Sequence, residues 1–277
     1  MLLHYYILHH IARELQELAE GFFLTECFTQ EKDTLHCTFE SNSRAMTLEA
    51  RFTTPQGAVF LRPQMHRAHQ NTLTIFPELI GRTLRSVRLI PNERILCLHL
   101  PPYALYFVMF AGWKCGAHSS PANALVLQQE SLAPEALAQE QPILNAFRSP
   151  QALQGEPFCV RTSLLHPSLH DCSLNTTSTT LGEALSTCNL MLGRFYAREV
   201  LRRLRAIHGC PDINYEQPLS SPLVRQYWDN ILHIADDLRS ACLQAEEFFL
   251  VRDATNAPML SVCRLTDDVY AHSIEHY

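Results

Sequence analysis

The sequence predicts an α+β chain: a β-sandwich or partly open barrel over residues 1–172, then a mainly helical region over residues 173–277. Three observations carry this. One amphipathic helix opens the chain, short period-two runs separated by turn residues continue as far as Gln128, and apolar residues at three- and four-residue steps take over from Leu181. With 277 residues and 47% hydrophobic content the chain can bury a real core, in one large domain or two ordinary ones.

In the first helix, residues 4–20, Tyr5, Leu8, Ile11, Leu15 and Leu18 form the apolar stripe and Gly21 closes it. Strands follow at Phe22–Phe28, Leu35–Phe39, Met46–Phe52 and Ala58–Leu61, with turns at Gln30-Glu31-Lys32-Asp33 and Ser41-Asn42-Ser43. A short helix reads near Phe76–Ile80, and further strands at residues 83–89, 95–100, 103–110 and Ala124–Gln128. After Ser131, Pro134, Pro142, Pro150 and Pro157 punctuate a stretch of weak periodicity, and Ser173 to Thr180 reads as a linker or cap. Leu181, Ala184, Leu185, Cys188 and Leu192 then make one helical stripe. A second helix follows Gly193 with Phe195, Val200, Leu201 and Leu204 inward, and a third spans 222–247. A small hairpin turns around Asn256-Ala257-Pro258.

The ten cysteines contain no Cys-x-x-Cys pair, so they read as buried thiols rather than a zinc site, and no metal or cofactor is expected. His66 and His69 read as a surface pair. No apolar run reaches membrane length, and the N-terminus lacks the basic start of a secretory signal. The expectation is a cytoplasmic protein with no membrane partner.

The net charge of −6 conceals segregation. Residues 60–94 hold six arginines against two glutamates, and residues 194–205 hold five arginines against Glu199. Lys32 and Lys114 are the chain's two lysines. Guanidinium forks suit phosphates and stack on bases, so two such islands in an acidic chain point to a locally contacted polyanion such as a structured RNA.

Each island offers candidate residues. In the first, Pro91-Asn92-Glu93-Arg94 forms a turn between two strands and sets an acid and an arginine, Glu93 and Arg94, side by side at a sheet rim. That arrangement can read hydroxyls and phosphates, and an exposed ion pair worth roughly 0–1 kcal/mol is the competing reading. In the second, Arg194, Arg198, Arg202 and Arg205 are spaced to share one helix face, directly after a tight turn at Leu192-Gly193. Backbone N–H groups at such a helix–hairpin–helix turn can hold a phosphate at Gly193, with the arginines tracking onward; the competing reading is a solvated face.

An ordered set of segments resembles the NFACT family, also known as the fibronectin-binding A proteins. The segments are Leu3-His4-Tyr5-Tyr6, Leu15 to Gly21, Gln30-Glu31-Lys32-Asp33, Phe76-Pro77-Glu78-Leu79-Ile80-Gly81, Pro91-Asn92-Glu93-Arg94 and Pro121-Ala122-Asn123-Ala124-Leu125-Val126-Leu127. The resemblance covers the family's N-terminal domain over about residues 1–170, its helix–hairpin–helix region over 181–205 and the following piece over 240–277. It implies an N-terminal β-sandwich similar to that of formamidopyrimidine-DNA glycosylases. It also implies a role in ribosome-associated quality control: binding the large ribosomal subunit that carries a stalled nascent chain, recruiting tRNA and supporting C-terminal tailing. The family's functional Asp-Arg pair falls on Glu93 and Arg94, whose acid is one methylene longer. The family's hairpin Gly-x-Gly/Ser-Pro falls on Met191-Leu192-Gly193-Arg194, which lacks the first glycine. The coiled coil and RNA-binding domain of full-length relatives have no counterpart before Tyr277, which implies a shortened homologue or a cut chain.

The expected role is therefore a non-catalytic tRNA- and ribosome-binding module. Glycosylase chemistry needs an N-terminal proline amine with an adjacent glutamate, and this chain begins Met1-Leu2-Leu3-His4. A fibronectin-binding adhesin is the third reading, against which stand the missing secretion signal and the many unpaired-looking cysteines.

Overall fold

The computed structural model describes residues 4–31, 33–42, 44–52, 57–63, 65–109, 124–128, 179–188, 191–210, 212–252 and 258–265. The expected boundary at residue 172, the proline-punctuated stretch and the Asn256-Ala257 turn lie outside them. The chain divides into two compact units, one of residues 8–161 and one joining residues 3–7 to residues 162–277. The architecture is α+β, with antiparallel sheets and several helices. No helix among the described residues is long and apolar enough to cross a membrane.

The first unit is built on two open sheets. Helix α1 (Tyr5–Ala19) buries Leu8, Ala12, Leu15 and Ala19 along one face, and Gly21, at φ 82°, takes the left-handed turn that ends it. The first sheet has strands β1 (Phe23–Thr29), β2 (Thr34–Glu40), β3 (Ala45–Arg51), β4 (Ala58–Arg62) and β5 (Leu73–Thr74), in the order β4-β3-β2-β1-β5. One of its faces carries Leu35, Cys37, Leu48 and Ala50, all without solvent exposure. The second sheet has β6 (Ser86–Leu89), β7 (Ile95–Leu100), β8 (Tyr103–Val108) and β9 (Ala124–Gln128), in sequence order. Phe52, just past β3, stacks on Phe107 of β8 with ring centroids 6.2 Å apart.

The strand expected over residues 83–89 is shorter. Residues 81–84 bond instead to the start of β1: the Gly81 N–H reaches the Leu24 carbonyl at 2.8 Å, and the Leu84 N–H reaches that of Phe22 at 2.8 Å. From Ser86 the chain pairs with β7. One alternating run thus serves two sheets, a division that hydrophobic period alone does not encode. The helix expected near Phe76–Ile80 is a single 3₁₀ turn, Pro77–Leu79.

In the second unit, α2 (Leu181–Thr187) starts with a capping box, Thr180 and Glu183 each bonding the other's backbone N–H. Helix α3 (Gly193–His208) ends at Gly209, φ 61°. Its inward face is Tyr196, Ala197, Val200, Leu201 and Leu204; Phe195, expected inside, is half-buried because the stripe lies one residue further on. The third expected helix breaks at Tyr227 into α4 (Pro222–Gln226) and α5 (Trp228–Gln244). The hairpin appears as β10 (Phe249–Arg252) and β11 (Pro258–Ser261). The seven described cysteines are all buried, and His66 and His69 are both exposed.

Candidate nucleic-acid interface

In the first unit, residues 91–94 form the β6–β7 turn. The Ile90 N–H reaches the Ile95 carbonyl at 2.9 Å, the Glu93 N–H reaches the Ile90 carbonyl at 3.1 Å, and Asn92 takes the left-handed conformation at φ 58°. Glu93 and Arg94 sit together, each half-buried. The Arg94 carbonyl accepts from the Met109 N–H at 2.8 Å, which ties the turn to the end of β8. Burial holds the Arg94 guanidinium below the ordinary arginine range, and the Glu93 charge pulls the other way. Among the described residues Arg94 forms no side-chain hydrogen bond or ion pair.

The rest of that first basic island is dispersed. Arg62 pairs with Glu49, Arg67 donates to Thr72 and Thr74, and Arg82 lies over the Tyr103 ring.

In the second unit the turn between α2 and α3 has an alternating backbone: Met191 at φ 55°, Leu192 at φ −62° and Gly193 at φ 58°. The Met191 N–H is taken by the Cys188 carbonyl at 3.2 Å, and the alternation that follows turns the next N–H groups, those of Leu192 and Gly193, toward a concavity suited to an anion. Met191 thus takes the left-handed geometry that the missing glycine would supply, a strain of about 1–2 kcal/mol for a residue with a Cβ. Behind the turn lies His4, which donates from Nε2 to the Leu192 carbonyl at 2.9 Å while its Nδ1 faces the Tyr6 N–H at 3.4 Å. A Cβ on Gly193 would stand 3.2 Å from His4 Nε2. Both its backbone angle and its packing therefore call for glycine.

The four arginines of the expected stripe divide into two pairs. Arg194 and Arg198 are exposed, and each guanidinium carbon lies 5.7 Å from the centre of the Tyr215 ring. Tyr215 is fixed in turn: its ring packs where a Cβ on Gly182 would collide, and its hydroxyl bonds Ser186 Oγ at 2.5 Å. Arg202 faces inward instead, 3.7 Å from the fully buried Glu199, which also takes Arg203 at 3.0 Å. Arg205 donates to the Ile213 carbonyl.

Tyr215, His4 and Glu199 take part without having been expected from the sequence. Glu199 had a signal, since it stands three and four residues before Arg202 and Arg203. Tyr215 lies in an aperiodic loop and His4 acts on a residue 188 positions away, so neither had one. Among the described residues no cluster of His, Cys, Asp or Glu could hold a metal ion.

No protein-family model and no curated protein matches this sequence. Solved structures do. The N-terminal part of the fibronectin/fibrinogen-binding protein from Streptococcus suis aligns over 96% of this chain and 95% of its own, at 14% identity and a TM-score of 0.51. The fibrinogen-binding protein from Staphylococcus aureus aligns over 98% of this chain and 93% of its own, at 10% identity and a TM-score of 0.54. The α+β architecture of this chain is therefore similar to that of these two fibronectin/fibrinogen-binding structures, which is consistent with the resemblance to NFACT N-terminal regions.

Proposed function

We propose that the chain is a non-catalytic RNA-contacting module that binds tRNA and the large ribosomal subunit in the rescue of stalled nascent chains. The observation that carries this reading is the placement of Arg194 and Arg198 on one tyrosine ring, beside the N–H groups of Leu192 and Gly193. A phosphate at those N–H groups and a backbone running on past two ordered guanidiniums make a local anionic track. Such a track suits a protein whose overall charge is negative. Arg94, desolvated and unpaired among the described residues, is the corresponding contact of the other unit, with Glu93 to orient a ribose hydroxyl. Arg202 and Arg205, engaged with Glu199 and Ile213, support the helix and its loop rather than the RNA.

The test is tRNA binding followed by fluorescence anisotropy across a salt series. Reversal of both charges, Arg194→Glu with Arg198→Glu, is expected to weaken binding at least about ten-fold and reduce the salt slope by roughly two. Unchanged affinity and slope, in a variant with the parental unfolding midpoint, would remove this interface. Sequencing the RNA that copurifies with the chain then separates tRNA from other polyanions.

The proteins that share the fold supply a second reading, adhesion to fibronectin or fibrinogen. Immobilised fibronectin decides it: saturable binding unaffected by the double charge reversal favours adhesion over RNA.

A further inference from the structure

The first sheet has a second face on which four polar side chains, His36, Thr38, Thr47 and Glu49, are buried. One register line across β1 to β4 carries Phe28, His36, Glu49 and Phe60. Phe28 stacks on His36 with centroids 5.0 Å apart, and Arg67 lies over Phe28 at 5.0 Å. At the other end the Arg51 and Arg62 guanidiniums lie 5.3 and 5.1 Å from the Phe60 ring centre. Between them stands Glu49, 1% exposed. Arg51 reaches its Oε1 through both Nε and Nη2 at 2.6 Å, and Arg62 Nε lies 2.7 Å from its Oε2.

The buried carboxylate hydrogen-bonds Arg51 and ion-pairs with Arg62, whose Nε–H is not aligned for a hydrogen bond, and neutralises one of the two charges. The arginine side chains remain 39% and 43% exposed. Arg51 Nη1 and both Nη atoms of Arg62 have no partner among the described residues. His36, 1% exposed, has no hydrogen bond at either ring nitrogen among the described residues, and its Nδ1 is 3.9 Å from Glu49 Oε2. The charges facing the cluster are Arg51, Arg62 and Arg67 against Glu49 and the more distant Glu31. The balance is positive, and the hydrogen bonding of a buried layer is incomplete.

We propose that Arg51 and Arg62, clamped by Glu49 over Phe60, form a phosphate-group site separate from the turn at Arg94 and from helix α3. A tetrahedral oxyanion offers enough acceptors to take the free edges of two guanidiniums at once, and Glu49 reduces the cost of ordering them on binding. The phosphate can be free or part of a nucleic acid backbone. The site does not depend on the tRNA reading, because inorganic phosphate alone probes it.

Arginine side-chain N–H and His36 ring resonances are followed by NMR during titration of the whole chain with inorganic phosphate, then with a short single-stranded RNA. Phosphate is expected to shift the Arg51 and Arg62 signals saturably, and Arg62→Gln to weaken that binding at least about five-fold. Arg62→Lys, which keeps charge and loses the fork, should weaken it nearly as much. If either variant fails to fold, Arg51→Lys takes its place. RNA binding at least about ten-fold tighter than phosphate, with the gain lost in Arg62→Gln, identifies the backbone as source. Equal affinity identifies free phosphate. Absence of a saturable shift with both probes, or the same shift in every variant, overturns the site.

Discussion

Arg205 donates two hydrogen bonds to the Ile213 carbonyl, from Nε at 3.1 Å and Nη2 at 2.7 Å. One arginine of a stripe that looked uniform thus holds the loop from which Tyr215 projects, two residues on. The cation that orders the site is distinct from the cations that would touch RNA.

Replacing Arg205 with lysine keeps the charge and removes the two-pronged donor. Because the side chain is exposed, the expected loss of stability is small, about 1 kcal/mol, read as a shifted denaturant midpoint. The tRNA affinity should fall as well, since Tyr215 loses its anchor. A variant that binds like the parent would show that the loop holds itself.

Tyr215→Phe separates packing from hydrogen bonding. The ring that carries Arg194 and Arg198 stays, while the bond to Ser186 goes. About 1 kcal/mol of stability is expected to be lost with tRNA binding intact. Tyr215→Ala should weaken tRNA binding roughly three- to ten-fold by freeing both guanidiniums. Equal affinity of the two variants would dismiss the ring as a platform.

Gly193→Ala places a methyl group at φ 58° against His4. A cost of about 1–3 kcal/mol is expected from left-handed strain and overpacking together. The double variant His4→Ala, Gly193→Ala removes the clash; if its stability equals the sum of the single effects, the two residues do not couple.

At the other turn, Arg94→Gln is expected to reduce tRNA affinity at least about five-fold with little change in the unfolding midpoint, since the guanidinium has no partner among the described residues to lose. Glu93→Asp restores the shorter acid of the family pattern. Indistinguishable tRNA binding by Glu93 and its aspartate variant would show that the additional methylene is tolerated.

Burial lowers the pKa of His9, His36 and His99; the charges of His10 and Arg13 add to this at His9 and those of Arg88 and Arg85 at His99, while Glu49 opposes it at His36. In the unfolded chain all three titrate near about 6.5. As the pH falls below that value the unfolded chain binds more protons than the folded one, so stability declines until the folded-state values are passed. Thermal unfolding measured from pH 7 to pH 5 should show a falling midpoint, and His99→Gln should flatten the slope. A midpoint that rises over this interval would contradict the assignment.

The sequence disclosed what local pattern encodes. The stripe Leu8, Leu15 marks α1, the alternation around Leu48 marks β3, and Gly21 marks a helix end. It could not show that residues 81–84 leave the second sheet to pair with β1, because both partners accept the same alternation. The i, i+4 spacing of Arg194, Arg198 and Arg202 gave a shared face but not its allocation. That is settled by Glu199 beneath Arg202 and by Tyr215 beside the other two, and both are matters of tertiary contact. The turn at Glu93 and Arg94 was legible because Asn92 announces it, whereas the desolvation of Arg94 depends on its surroundings in the folded unit.

The clasp between His4 and Leu192 also has an order in time. His4 is synthesised 188 residues ahead of its acceptor. Throughout that interval the Leu192 carbonyl does not yet exist, and the hairpin, once made, closes onto a residue far back along its own polypeptide. Removal of the segment that carries His4 would therefore be felt near residue 192.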